Sequence, residues 1–283
     1  GTFGTSGEFF KKWGDTDVRD AARMLDLCLD HGLNFFDTAD IYSQGNSETV
    51  LGEALKATVA RQSRDRVLIS TKATFRFGDD PNGAGSSRYH LIQSVENSLK
   101  RRGTDDIDLY FMHGFDALTP VEETLYTLDT LVRQGKIRYI GCSTFAAWQV
   151  VESLWVSEKL SLNRFVTEQP PYSILVRGME EDVLPTVQRY GMGTLVYSPI
   201  AGGRLSGKWR KGVAPTATSS ARPTARFDMS TPANQRKLDI VADLILSADI
   251  LDRIDEIVAP GVTINPDDNS YRAHELLPAA RRR

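Results

Sequence analysis

One feature constrains this chain more than any other. From Asp17 to Ser198 short apolar runs alternate with segments of helical period. The runs are Leu33–Asp37, Arg66–Lys72, Ile107–His113, Ile137–Ser143, Phe165–Gln169 and Gly193–Ser198. The helical segments are Asp17–His31, Ser47–Arg61, Tyr89–Arg101, Val121–Arg133, Ala146–Ser157 and Glu180–Tyr190. In Asp17–His31 the residues Val18, Ala21, Ala22, Leu25, Cys28 and Leu29 share one face, and Gly32 follows as the residue able to turn left-handed. Ser47 is placed as the N-cap of the next helix, with Val50, Leu51, Ala54 and Leu55 inward. Strands separated by helices pair in parallel, and at this length the repetition predicts a closed (β/α)8 barrel, a TIM barrel, rather than an open sheet. No Gly-x-Gly-x-x-Gly follows any strand, which argues against a doubly wound dinucleotide fold. With no low-complexity linker in view, residues 1–283 read as one domain.

Three of the apolar runs end in a residue that carries chemistry. The first ends in Asp37, the second in Lys72, the third in His113, and Tyr42 follows Asp37 by five positions. In a parallel barrel the carboxyl ends of all strands meet at one face, and that face holds the active site.

The balance of charge is slightly acidic, −3 over 283 residues, which argues against nucleic acid as a partner. No apolar run approaches the ~20 residues that span a bilayer, so no membrane partner is expected and the cytoplasm is the expected location. Cys28 and Cys142 lie in apolar surroundings and read as buried free thiols. No metal site is read, and His31, His90 and His274 are placed at the surface or at helix caps.

Together Asp37, Tyr42, Lys72 and His113 suit proton transfer to a carbonyl oxygen. A free phenol, with a pKa of ~10, is a poor acid at neutral pH. A nearby lysine cation favours the phenolate and makes proton donation easier. An aspartate paired with the lysine orients it, and a histidine can hydrogen-bond the substrate oxygen. The attacking group would then be a hydride from a cofactor. A Schiff-base aldolase built on Lys72 is the less favoured chemistry for the same barrel.

The segments NFFDTADIY, SETVLGEAL, ISTK, IDLYFMH, GKIRYIGCSTF, TEQPPYS and VYSPIAGGRLSGK, in that order, resemble the aldo-keto reductase family. The resemblance implies a (β/α)8 barrel, NADPH as cofactor with NADH not excluded, and reduction of a small carbonyl substrate. It makes Tyr42 the general acid, with Lys72, Asp37 and His113 as its partners. It places Ser143 and Gln169 on the nicotinamide carboxamide and Tyr197 against the nicotinamide ring. It runs Ser198, Pro199, Ile200, Ala201 and Gly202 along the pyrophosphate, with Arg204 and Lys208 as cations near the phosphates. The family commonly has Asn where Thr144 stands here. One branch of the family, the channel β-subunits, implies an alternative: a slow, nucleotide-binding regulatory subunit.

The family's eighth strand and its Ile-Gly-x-Arg motif find no counterpart, and the first strand is represented by a fragment at Gly1–Phe10. Helices are expected at Asn234–Leu244 and Ala248–Val258, with a segment passed over, and hence a spatial gap, near Leu244.

Overall fold

The computed structural model describes residues 16–59, 64–206 and 228–245. They group into two compact units, one of Gly1–Ser143 with Trp148–Thr167, the other of Thr144–Ala147 with Glu168–Arg283.

The first unit is built on four parallel strands: β1 (Phe35–Asp37), β2 (Leu68–Ala73), β3 (Ile107–Met112) and β4 (Ile137–Ser143). In register, Asp37 lies beside Ser70, Lys72 beside Phe111, and Phe111 beside Gly141. Alternation along β2 therefore sends Ser70 and Lys72 to one face and Ile69, Thr71 and Ala73 to the other. Five helices connect and cover these strands: α1 (Val18–Asp30), α2 (Asn46–Val59), α3 (Arg88–Arg102), α4 (Val121–Arg133) and α5 (Ala147–Leu160).

Helix α1 starts where the Asp17 carboxylate accepts the Asp20 N–H at 2.7 Å. It ends as the sequence predicts, with Gly32 at φ +76°. The Leu33 N–H reaches back to Cys28 O and the Gly32 N–H to Leu29 O, which satisfies two terminal carbonyls. Ala21, Leu25 and Leu29 of α1 pack with Val50, Leu51, Ala54 and Leu55 of α2 and with Phe36 and Ile69 of the sheet. Helix α2 lies so close to α3 that a Cβ at Gly52 would stand 2.3 Å from Arg102 O.

Three local expectations are corrected. Ser47 is not an N-cap: α2 already begins at Asn46, and the buried Ser47 hydroxyl bonds Thr38 Oγ1 at 2.8 Å. His90 is not at the surface. It is buried in the first turn of α3, with Nδ1 on Gly85 O and Nε2 on Ser94 Oγ. Cys142 is a buried free thiol, whereas Cys28 is only partly buried.

The second unit holds β5 from Glu168 onward (the strand spans Thr167–Gln169), β6 (Gly193–Thr194), α6 (Val183–Arg189) and α7 (Pro232–Ile245). The strand expected over Gly193–Ser198 is regular only at its first two residues. The ladder does go on, through Leu195 N–H to Glu168 O and Tyr197 N–H to Pro170 O. Opposite it stand Pro170 and Pro171, which have no N–H to return, so regular pairing stops there. Helix α7 runs through Leu244 to Ile245, and the remainder of the stretch where the gap is expected lies outside the described residues. The apolar positions Leu238, Ile240 and Val241 keep the helical segment going, and Ile240 and Val241 bury against Leu175 and Ala201.

Strand order follows sequence order from β1 to β6. This is the parallel strand–helix alternation of a (β/α)8 fold, as the sequence predicts. Among the described residues there is no strand for the family's first or eighth position. The expected Gly1–Phe10 fragment, Lys208 and the Ala248–Val258 helix lie outside the described residues.

Candidate active site

The four residues singled out at the strand ends come together in the first unit. Asp37 closes β1 and Lys72 is the fifth residue of β2. The Lys72 ammonium has no exposed surface, and Nζ donates to both carboxylate oxygens of Asp37 at 2.7 Å and to Thr38 O at 2.6 Å. The Ser70 hydroxyl adds a bond to Asp37 Oδ1 at 2.6 Å. Burial pulls the Lys72 pKa down from its usual value, and Asp37 offsets part of that. Burial works to raise the Asp37 carboxyl, but the Lys72 charge and hydrogen bonds hold it below the ordinary carboxylate range.

Tyr42 stands at the start of a tight turn, Tyr42–Gly45, in which Ser43 (φ 50°) and Gln44 (φ 55°) are both left-handed. Non-glycine residues in that region cost on the order of 1–3 kcal/mol each, and such strain concentrates at functional sites. The turn brings the Tyr42 ring to 5.2 Å from Lys72 Nζ and to 5.6 Å, edge-on, from the His113 ring.

His113 directly follows β3, its N–H bonded to Ala73 O. Burial, reinforced by the Lys72 cation, pushes its pKa down to about 3, so the imidazole is neutral at physiological pH. Its Nδ1 has no hydrogen-bond partner among the described residues. Phe75 packs on the ring at 4.8 Å and is itself half exposed. Phe115 and Trp148 form a second aromatic pair at 5.7 Å.

Behind the site lies a buried polar layer that the sequence reading passed over. Glu48, in the first turn of α2 and fully buried, accepts the Thr71 hydroxyl on Oε1 and Arg101 Nε on Oε2, both at 2.6 Å. Asp40 is buried with Oδ1 on its neighbour's N–H (Ile41, 2.6 Å). Burial, with the nearby Glu48 charge, pushes the Asp40 carboxyl up to about 8. One signal was legible. Thr71 precedes Lys72 on a strand, so it must face the helices, and an acidic residue at the start of the preceding helix is its natural acceptor.

Ser143 ends β4 and is buried. In the second unit Gln169 ends β5, also buried, and its carbonyl accepts the Thr144 N–H at 3.2 Å. Tyr197 is half-buried and its hydroxyl accepts from Thr144 Oγ1 at 3.5 Å. Ser198 (φ 57°), Ala201 (φ 50°), Gly202 (φ 66°) and Gly203 (φ 96°) are all left-handed, while Pro199 and Ile200 are exposed. Within this turn the Ala201 N–H bonds Ser198 O at 2.8 Å and the Gly203 N–H bonds Ile200 O at 2.9 Å. A Cβ at Gly203 would meet nothing within 4 Å. Arg204 is turned inward, its Nη2 on Asn234 Oδ1 at 3.1 Å.

A neutral histidine, a tyrosine and a lysine–aspartate pair thus lie together at the carboxyl ends of neighbouring parallel strands. The sequence pattern of the aldo/keto reductase family matches residues 2–251, and the chain belongs to that family. Among similar proteins is a "probable voltage-gated potassium channel subunit beta" of Arabidopsis thaliana, 35% identical over 81% of this chain and 67% of its own length. The "uncharacterized oxidoreductase YrpG" of Bacillus subtilis is 40% identical over 72% of this chain and 65% of its own. The "aldo-keto reductase YhdN" of the same bacterium is 37% identical over 69% and 56%. Among the described residues no helix is long and apolar enough to cross a membrane.

Proposed function

We propose that this protein, one barrel domain over residues 1–283, reduces aldehydes or ketones to alcohols with NADPH. The observation that carries the reading is Tyr42 beside the buried Lys72–Asp37 pair with a neutral His113 on its other side. A bound reduced nicotinamide supplies the hydride to the carbonyl carbon. The Tyr42 hydroxyl gives its proton to the carbonyl oxygen, and the Lys72 cation favours the phenolate left behind. A neutral imidazole can orient that oxygen by a hydrogen bond without competing as the acid. Ser143 and Gln169 would hold the carboxamide and Tyr197 the ring. The segment from Ser198 to Gly202 would hold the pyrophosphate, with Arg204 and Lys208 as nearby cations. The half-exposed Phe75 and Trp148 favour apolar or aromatic carbonyls as substrates.

The test is consumption of NADPH with a reactive aromatic aldehyde, followed by absorbance, with wild type beside Tyr42→Phe. Loss of about 100-fold or more in kcat in the variant supports Tyr42 as the acid, within the range of a general-acid contribution. Equal turnover in both proteins overturns it. A second reading is favoured by the similarity to proteins named as channel β-subunits: a slow nucleotide-binding regulatory partner. NADPH bound tightly with no turnover in the wild type would select that reading.

A further inference from the structure

We propose that Glu48 is a positioning residue for Tyr42: its carboxylate, with the Ser47 hydroxyl, bolts the first turn of α2 to the backs of the two strands that carry Lys72 and Asp37. The inference rests on Tyr42 as the proton donor.

The geometry is a brace with two arms. Thr71 immediately precedes Lys72, and alternation turns its hydroxyl away from the site, onto Glu48 Oε1 at 2.6 Å. Thr38 immediately follows Asp37, and its hydroxyl meets Ser47 Oγ at 2.8 Å. All four side chains of the brace are fully buried. Each half of the Lys72–Asp37 pair is thus backed, one residue away in sequence, by a bond to the same helical turn.

Tyr42 lies on the short connection between those strands and that turn. Upstream, the Asp40 N–H is tied to Lys72 O at 3.1 Å. Downstream come the two left-handed residues Ser43 and Gln44, then Gly45 and the helix. A strained turn persists only where its surroundings over-determine it. Glu48 supplies that on a second side as well. Its Oε2 holds Arg101, which packs on the turn so closely that a Cβ at Gly45 would stand 2.9 Å from Arg101 Cδ. The same guanidinium lies 5.3 Å from the Phe77 ring. Removing the carboxylate frees both grips on the segment that aims the phenol.

The experiment compares Glu48→Gln, Glu48→Ala and Thr71→Val in two assays. The first is aldehyde reduction with NADPH, resolved into kcat and KM. The second is ultraviolet difference titration of the Tyr42 phenol, isolated by subtracting the Tyr42→Phe protein. It needs no turnover. Gln can accept from Arg101 and donate to the Thr71 hydroxyl, so Glu48→Gln keeps both grips and stays within about threefold of wild-type kcat. Glu48→Ala and Thr71→Val lose about tenfold or more in kcat, with the KM for NADPH little changed, because a small misplacement of a reacting group is costly. The phenol titration in Thr71→Val and in Glu48→Ala is displaced from that of wild type, whereas that of Glu48→Gln stays close to it.

Wild-type kcat and an unshifted titration in Thr71→Val overturn the proposal, even if melting temperature falls. Equal titrations in Glu48→Gln and Glu48→Ala also overturn it, since Glu48 would then act as a charge alone. If Glu48→Ala does not fold, Thr71→Val decides, because it removes one hydroxyl and conserves shape. An inactive wild type sinks the proposed function but leaves the titration of Tyr42 to judge the brace.

Discussion

Lys72 Nζ donates to both oxygens of Asp37 and to Thr38 O, which fixes the ammonium at the carboxyl end of β1. Its Nζ stands 5.2 Å from the centroid of the Tyr42 ring. Lys72→Met leaves the Asp37 carboxylate without its cation in a largely buried place. It should cost about 3–5 kcal/mol of stability, the usual penalty for breaking a buried pair. Pairing it with Asp37→Leu removes the stranded charge and should restore most of that loss. Turnover should stay abolished in both, because neither has a cation beside Tyr42. Denaturant unfolding and NADPH-linked turnover, measured on the two variants, check this. A double variant no more stable than the single one refutes it.

Asp40 makes stability fall as pH rises from the acid range toward about 8. Its carboxyl is pushed up to about 8 by burial and by Glu48, with Arg101 and Lys72 partly opposing. In the unfolded chain it titrates near ~3.9, so between ~4 and ~8 the folded state holds a proton that the unfolded state has released. Stability from this group therefore falls as pH rises through that window, by about 1.4 kcal/mol per unit. His113 runs the other way. Its folded pKa is about 3, so below its unfolded value it penalises the folded state. Between ~4 and ~6.5 the two slopes oppose, and above that only Asp40 remains. Asp40→Asn keeps an oxygen for the Ile41 N–H and removes the titration. Its stability relative to wild type should rise steadily from about pH 4 to about pH 8 in denaturant unfolding. Parallel pH profiles for the two proteins would rule the mechanism out.

The strand ends were legible because an apolar run that stops at Asp37, Lys72 or His113 marks both the strand and the place where it opens. Helix faces were legible for the same reason, as with Leu51, Ala54 and Leu55 against Ala21, Leu25 and Leu29. Polar residues inside those elements were harder to read. Ser47 reads as a cap because serine before an apolar pattern is a common cap. What decided its role was Thr38, nine residues earlier and across a turn of unusual backbone. His90 looks like a surface or cap residue in sequence, and only tertiary partners such as Gly85 O and Ser94 show why it is buried. The shortening of β6 needed the prolines of its neighbour, a pairing that no local pattern reveals.

Thr144 explains a departure from the family's habit in physical terms and can be tested. It directly follows β4, its φ is +60°, and its N–H is held by Gln169 O. For a β-branched residue that region is a real outlier, whereas asparagine tolerates it. Where the family commonly has Asn, this chain therefore stores strain. Thr144→Asn should stabilise the protein by about 1 kcal/mol, the low end of what such a conformation costs. That corresponds to about 2–4 °C in melting temperature. Thr144→Val keeps the branched shape and should give no such gain. Calorimetry on the two variants checks the argument. If Thr144→Asn melts no higher than Thr144→Val, the left-handed turn after β4 is not where the strain lies.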